Sequence, residues 1–320
     1  MQYRRSPFST LLLLLLGSAL LFTTACDSDS DPVGDDPGDD PDPGPEVRQV
    51  TYDLPNVEGN DITDSDATAT FQEFGDKTLV TLELEDGATD TDLSHVAHIH
   101  ENDVETSGDI AYFLGPLDGL AAAPGTSEFV VDESFDALIE FDGYINIHES
   151  NAELGTILAQ GNIGSNEPDA DVVESDLIPL EEPRTTEYDL GAVDNDGALP
   201  DGDDATATFT EVTETQTLVT LELEGGATDT DVSHPAHIHD GALADQPGDI
   251  EIFLGPIDGL GAAPGVSYAL VDEAYDDLVE FDGYINIHES NAALGNIVSQ
   301  GNIGANANGD DSGSGNGGGY

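Results

Sequence analysis

Apolar and polar positions alternate with a period of two through most of the chain, the spacing of a strand with one buried face. VTYDL (50–54), ATATFQEF (67–74), TLVTLELE (78–85), VAHIH (96–100), DIAYFLG (109–115), EFVVDE (128–133), YINIH (144–148) and TILAQGNIG (156–164) read as strands. Gly, Asp, Asn and Pro separate the runs, as turn chemistry requires. One segment departs from the rule. ESFDALIEF (133–141) carries apolar residues at 135, 138, 139 and 141, which predicts a short helix ahead of YINIH. Eight short strands in about 120 residues predict an antiparallel sandwich or Greek-key barrel.

The whole pattern occurs twice. Residues 79–100 and 218–239 differ at only three positions: Asp86/Gly225, Leu93/Val232 and Val96/Pro235. FLGPLDGL (113–120) returns as FLGPIDGL (253–260), and the run 128–164 returns at 268–304. The offset is 139 at His100/His239 and 140 at Gly108/Gly248, so the second copy has one extra residue in that loop. Units of this size are tandem domains, not solenoid repeats. The expected boundaries are 48–165 and 184–305, with an acidic, Pro-bearing linker over 166–183 and a flexible Gly/Asn tail over 306–320.

Residues 1–25 have the form of a lipoprotein signal peptide: Arg4 and Arg5, an apolar run from Leu11 to Phe22, then small residues before Cys26. Cys26 is the single cysteine of the chain. The expectation is lipidation at Cys26 and a membrane contact through that lipid, with the protein exported and anchored at the cell surface or in the periplasm. Residues 26–47, rich in Asp, Pro and Gly, read as a disordered acidic tether. With Cys26 used as the anchor there is no disulfide, so each domain relies on burial of its core.

The chain has 68 acidic and 5 basic residues, for a net charge of −63. Loss of Arg4 and Arg5 with the signal leaves Arg48, Lys77 and Arg184. Such a chain excludes nucleic acid as a partner. It also repels itself in dilute buffer. At ~1 M salt the screening length falls to about 3 Å, so the composition reads as adaptation to high salt; the alternative is a calcium-loaded surface, which scattered carboxylates suit less well.

Histidine is distributed unevenly. His95, His98 and His100 lie in SHVAHIH, and His148 lies in YINIHES; the second copy has His234, His237, His239 and His288. No histidine falls outside these four phrases. Strand alternation puts Ala97 and Ile99 on one face of AHIH and both histidines on the other. In YINIH it puts Ile145 and Ile147 on one face, with Tyr144, Asn146 and His148 opposite. If the two strands are neighbours, His98, His100 and His148 converge, and His95, out of phase, is a candidate fourth group. Three or four imidazoles without a thiolate suit Zn(II) or Cu(II), one ion per domain. The alternative is that the imidazoles bond to carboxylates and backbone to hold loops. DGATDTD (86–92) and GGATDTD (225–231) read either as weak calcium loops, though without the spacing of an EF-hand, or as turns, which their chemistry explains as well. With its cysteine lipidated the chain has no thiol for catalysis, and no Ser-His-Asp arrangement can be assigned.

These residues resemble the chordin-type (CHRD) domain. The resemblance rests on AHIH (97–100, 236–239), on YINIH (144–148, 284–288), and on the endings LGTILAQGNIG and LGNIVSQGNIG. Leu138, Gly143, Leu278 and Gly283 also fit, whereas the arginine common in that family's ending is absent. The resemblance implies an all-β chain of two tandem antiparallel Greek-key or immunoglobulin-like β-sandwich domains, but no established activity. A weaker resemblance is to the copper site of Cu/Zn superoxide dismutase. It is carried by His98, His100 and His148, and by His237, His239 and His288. No zinc-loop histidine series, disulfide pair or anion-guiding arginine accompanies it.

The expectation is therefore a lipid-anchored, non-enzymatic surface protein. Its two CHRD modules bind an extracellular protein or polysaccharide, with Zn or Cu at each histidine cluster. The alternatives are a copper-dependent redox enzyme and a structural spacer without ligand.

Overall fold

The computed structural model describes residues 47–57, 66–85, 89, 93–119, 125–175, 179–180, 182–193, 204–224, 233–259 and 265–307. The residues expected to be signal peptide and tether, Cys26 among them, most of the two GATDTD segments and residues 308–320, where a tail is expected, lie outside them. The chain is all-β; among the described residues there are two short helices and brief 3-10 turns.

All eight strands expected in the first repeat form. They are β1 (Arg48–Leu54), β2 (Ala67–Phe74), β3 (Lys77–Leu84), β4 (Ser94–Glu101), β5 (Ile110–Asp118), β6 (Thr126–Val131), β7 (Asp142–His148) and β8 (Ile157–Gly164). Between β6 and β7 stands the expected helix α1 (Phe135–Ile139), capped by the Ser134 hydroxyl, which accepts from the Ala137 N–H. A two-residue strand, β9 (Val173–Glu174), comes from the segment expected to be linker and pairs with β1. The second repeat supplies β10 (Thr185–Ala192), β11 (Ala205–Glu211), β12 (Thr217–Leu223), β13 (Ser233–Asp240), β14 (Ile250–Asp258), β15 (Val266–Val271), α2 (Tyr275–Val279), β16 (Asp282–His288) and β17 (Ile297–Gly304).

In each repeat the strands form two four-stranded layers. The first repeat has β6-β3-β2-β1 and β5-β4-β7-β8, and the second has β15-β12-β11-β10 and β14-β13-β16-β17; in the second the two sets are joined where β10 pairs with β17, and pairing of β6 with β15 makes every described strand outside β5-β4-β7-β8 part of one thirteen-stranded sheet. The inward positions follow the alternation. Ala67, Ala69 and Phe71 of β2 and Val80, Leu82 and Leu84 of β3 meet Ala97, Ile99, Ile145 and Ile147 in one buried cluster. The second repeat builds an equivalent cluster from Phe209, Leu221, Ile238, Ile285 and neighbours. Burial of these apolar faces is the main favourable contribution to a sandwich-like fold that has no cross-links to help it.

Arg48 ties strand to helix. Its guanidinium donates to Glu73 of β2 and to Asp136 of α1, and lies 5.0 Å from the centre of the Phe135 ring. Arg184 repeats the arrangement with Glu211, Asp276 and Tyr275.

The two repeats belong to one compact unit. β6 pairs with β15 antiparallel through Glu128 and Tyr268, which are equivalent positions of the two copies. The seam is therefore self-complementary, in the manner of a two-fold dimer contact. The Phe129 and Tyr268 rings meet edge-on at 5.1 Å. Val212 and Leu218 are buried there with Phe74, Val130 and Leu270 around them, and the Asn151 amide donates to the Asp258 carboxylate at 2.9 and 3.0 Å.

Candidate metal centres

β4 and β7 are hydrogen-bonded neighbours, with His98 opposite Asn146 and His100 opposite Tyr144. This neighbourhood is what the sequence could not supply. It brings His98, His100 and His148 together on the face turned away from the core. One ring nitrogen of each lies within 4.8 Å of the others, and all three are buried. Ring centres are 5.0 Å apart for His98–His148, 5.7 Å for His98–His100 and 6.1 Å for His100–His148. β13 and β16 do the same with His237, His239 and His288, at 4.9, 5.8 and 6.1 Å.

Backbone carbonyls aim the rings. His148 Nδ1 donates to the Leu154 carbonyl at 2.8 Å, and His288 Nδ1 to that of Leu294 at 2.7 Å. His100 Nδ1 donates to the Gly108 carbonyl at 3.2 Å, and His239 Nδ1 to that of Gly248 at 3.3 Å. A carbonyl holds its proton on Nδ1 and leaves the Nε2 lone pair free, the tautomer a metal ligand needs. Nε2 of His100, His148 and His239 is buried without a partner, as are both nitrogens of His98 and Nε2 of His237. His237 Nδ1 and His288 Nε2 stand 3.1 Å apart.

Glycine is required where a loop crosses His100. A Cβ on Gly108 would fall on the Glu101 carbonyl oxygen, and one on Gly248 on that of Asp240. The loops differ by one residue, and the left-handed residue that opens them is Asn102 in one copy and Gly241 in the other. Both still deliver a carbonyl to the same histidine.

Burial keeps the rings neutral. Desolvation, helped by the neighbouring imidazoles His148 and His100, pushes His98 down to about 3; His237 is pushed to about 3 in the same way by burial, His288 and His239. Burial holds His148 and His288 at about 4 despite the carbonyls that favour their charged forms. His100 and His239 are also lowered by burial. A neutral imidazole has a lone pair to give, so either triad could hold a metal ion. The donor set, three neutral nitrogens with backbone-fixed rings and no thiolate or carboxylate, fits Zn or Cu.

His95 and His234 do not join the triads. A register shift between His95 and Ala97 breaks the alternation with β5, and its equivalent lies between His234 and Ala236. His95 bonds through Nε2 to the Thr89 hydroxyl at 2.6 Å and through Nδ1 to the Glu149 carbonyl at 2.7 Å. His234 Nδ1 donates to the His288 carbonyl at 3.1 Å. Both are fully buried and brace the segment that carries the third histidine of each triad. The expectation of a fourth ligand at these positions is corrected accordingly.

Sequence reasoning gave no role to the aromatic frame. Tyr144 stacks on His100 at 4.9 Å and 17°, and Tyr284 on His239 at 4.9 Å and 6°. Phe113 and Phe253 meet His98 and His237 edge-on at 5.3 and 5.1 Å. The alternation of YINIH already put Tyr144 on the histidine face; Phe113 required the β4–β5 pairing. No protein-family model, curated protein or solved structure matches the chain.

Proposed function

We propose that the chain is an exported, lipid-anchored surface protein whose two CHRD-like modules, of Greek-key or immunoglobulin-like type, each hold one Zn or Cu ion. One observation carries the metal reading: three buried imidazoles converge twice, with unpartnered nitrogens in each triad, although in the second His237 Nδ1 and His288 Nε2 are within hydrogen-bond distance of each other. Loop-fixing histidines would spend both nitrogens on partners, as His95 does. When bound, a metal would supply rigidity or a Lewis-acidic point on the module. His98, His100 and His148 would hold it in the first repeat, and His237, His239 and His288 in the second. The protein's large negative field favours a cation at either site.

The binding role is favoured over catalysis because nothing guides an anionic substrate inward: Arg48 and Arg184 are committed to carboxylates, and Lys77 to Asp132. A copper-dependent redox enzyme is the second reading. The His-x-His strand beside a late histidine strand favours it, as does an all-imidazole donor set suited to Cu(II). In the favoured binding reading the modules would act by contact with an extracellular protein or polysaccharide, with Cys26 holding the chain to the membrane.

The test is metal content by mass spectrometry on residues 47–320, made without added histidines and purified in ~1 M salt. About two Zn or Cu per chain are expected, in line with one triad per repeat. Replacing His98 and His100 with Ala should remove one and leave the other. A chain that takes up no metal on titration, or a variant with unchanged content, would overturn the assignment. Turnover by the copper-loaded protein would favour the redox reading.

A further inference from the structure

Asn146 occupies a position that packing does not explain. It lies on β7 between Tyr144 and His148, directly opposite His98 across the strand pair. Side chains opposite each other in an antiparallel pair share a face and stand about 5 Å apart at Cβ. Asn146 therefore belongs to the polar patch that Tyr144, His98 and His148 define. Asn286 has the same place opposite His237 on β16. The two residues are only 5% and 4% exposed. In both, Oδ1 is buried without a hydrogen-bond partner. Asn is a poor strand former, and a buried amide oxygen left unpaired costs stability. A Val or Thr would suit the strand better if the position only had to be filled.

The same oxygen is orphaned twice, each time beside the unpartnered nitrogens of a triad. A carbonyl oxygen is an acceptor only. It can satisfy itself on a molecule that brings a proton, and it repels a bare anion. Three imidazoles also leave a Zn or Cu ion short of its usual four ligands, so a small molecule must complete the set.

We propose that Asn146 and Asn286 are the specificity residues of the two triads. Each Oδ1 accepts a hydrogen bond from the small protonated ligand, water or another neutral donor, that completes the metal's coordination, and so disfavours anions there. This rests on the metal reading above. The amide also explains why the strand keeps a polar residue between Ile145 and Ile147, both of which face the core.

The experiment uses residues 47–320 loaded with Cu(II), with azide as the probe anion and the visible and electron paramagnetic resonance spectra as the readout. In the N146L/N286L variant copper content should stay as in the wild type. Its spectrum should change, and azide should bind about fivefold more tightly, the value of one modest hydrogen-bond preference. The N146D/N286D variant keeps the side-chain shape and adds negative charge. It should bind azide at least about fivefold more weakly than wild type, by charge repulsion. Equal azide affinity and spectra in the wild type and the Asp variant, with copper bound, would overturn the role of the asparagines and leave the metal sites standing. A wild-type chain that takes up no Cu(II) or Zn(II) would overturn the metal reading, and this inference with it.

Discussion

The imidazoles are the residues whose chemistry most depends on their surroundings. Free histidine titrates near 6.5, whereas His98 and His237 are pushed to about 3 and His148 and His288 to about 4. Above about pH 6.5 these rings are neutral in both the folded and unfolded chain, and pH has no leverage through them. Below that, the unfolded chain takes up protons that the folded chain refuses until the pH reaches 3–4. Stability present above 6.5 is therefore lost progressively as the pH falls through this window. Each ring contributes a slope of about 1.4 kcal/mol per pH unit. The metal-free protein in ~1 M salt, where general repulsion is screened, should melt at lower temperature at pH 4.5 than at pH 6.5. Replacing His98 and His237 with Gln should flatten the decline. An unchanged slope would mean that these rings are not held neutral by burial. At this scale the sequence was legible for what the alternation of AHIH and YINIH decides, namely which side chains leave the core. It offered His95 as a fourth group, because the register shift that turns this ring aside depends on how β4 and β5 pair.

Among the elements, β6 has a double task. It completes the first sheet beside β3 and meets β15 at the seam. Glu128 sits at the crossing point. It keeps a little solvent contact, but the protein around it pushes its carboxyl up to about 7, and backbone donors at Leu270 and Glu128 only partly offset that burial. The sign is opposite to that of the histidines. Stability from this group is present below the ordinary carboxylate range and is lost as the pH rises through about 7. Glu128→Gln should therefore stabilise the protein at pH 8 by on the order of 2 kcal/mol and have little effect at pH 4. Denaturant titrations at the two pH values check this; equal effects would show that Glu128 is solvated. The facing residue, Tyr268, has Lys77, Glu222 and Asp132 within electrostatic reach, so Gln is a cleaner probe than Lys. The strands and the short helix were legible because period two and the 135/138/139/141 spacing are local signals. β9 was not, since two exposed residues become a strand only when the edge of β1 is there to receive them.

For the whole molecule, charge is the dominant fact. The full chain has a net charge of −63, and most of it must be confined within one compact body. The described arginines answer it only locally, by bracing β1 and the segment before β10 against their helices. Salt would screen the bulk repulsion that remains. The soluble part should melt at markedly lower temperature in 0.05 M than in ~2 M NaCl. Equal melting temperatures would remove the high-salt reading. Local composition and periodicity determined that the chain is duplicated, all-β and acidic, and that the histidines of AHIH and YINIH face away from the core, because each of these properties is written within a few residues. Only the tertiary structure decided that β4 lies beside β7, that three imidazoles meet while His95 turns aside, that an asparagine oxygen is left unpaired among them, and that the repeats join through β6 and β15. Those are contacts between segments about 50 to 140 residues apart, and strand pairing at such separation is set by how the layers close over a shared core, not by any pattern along the chain.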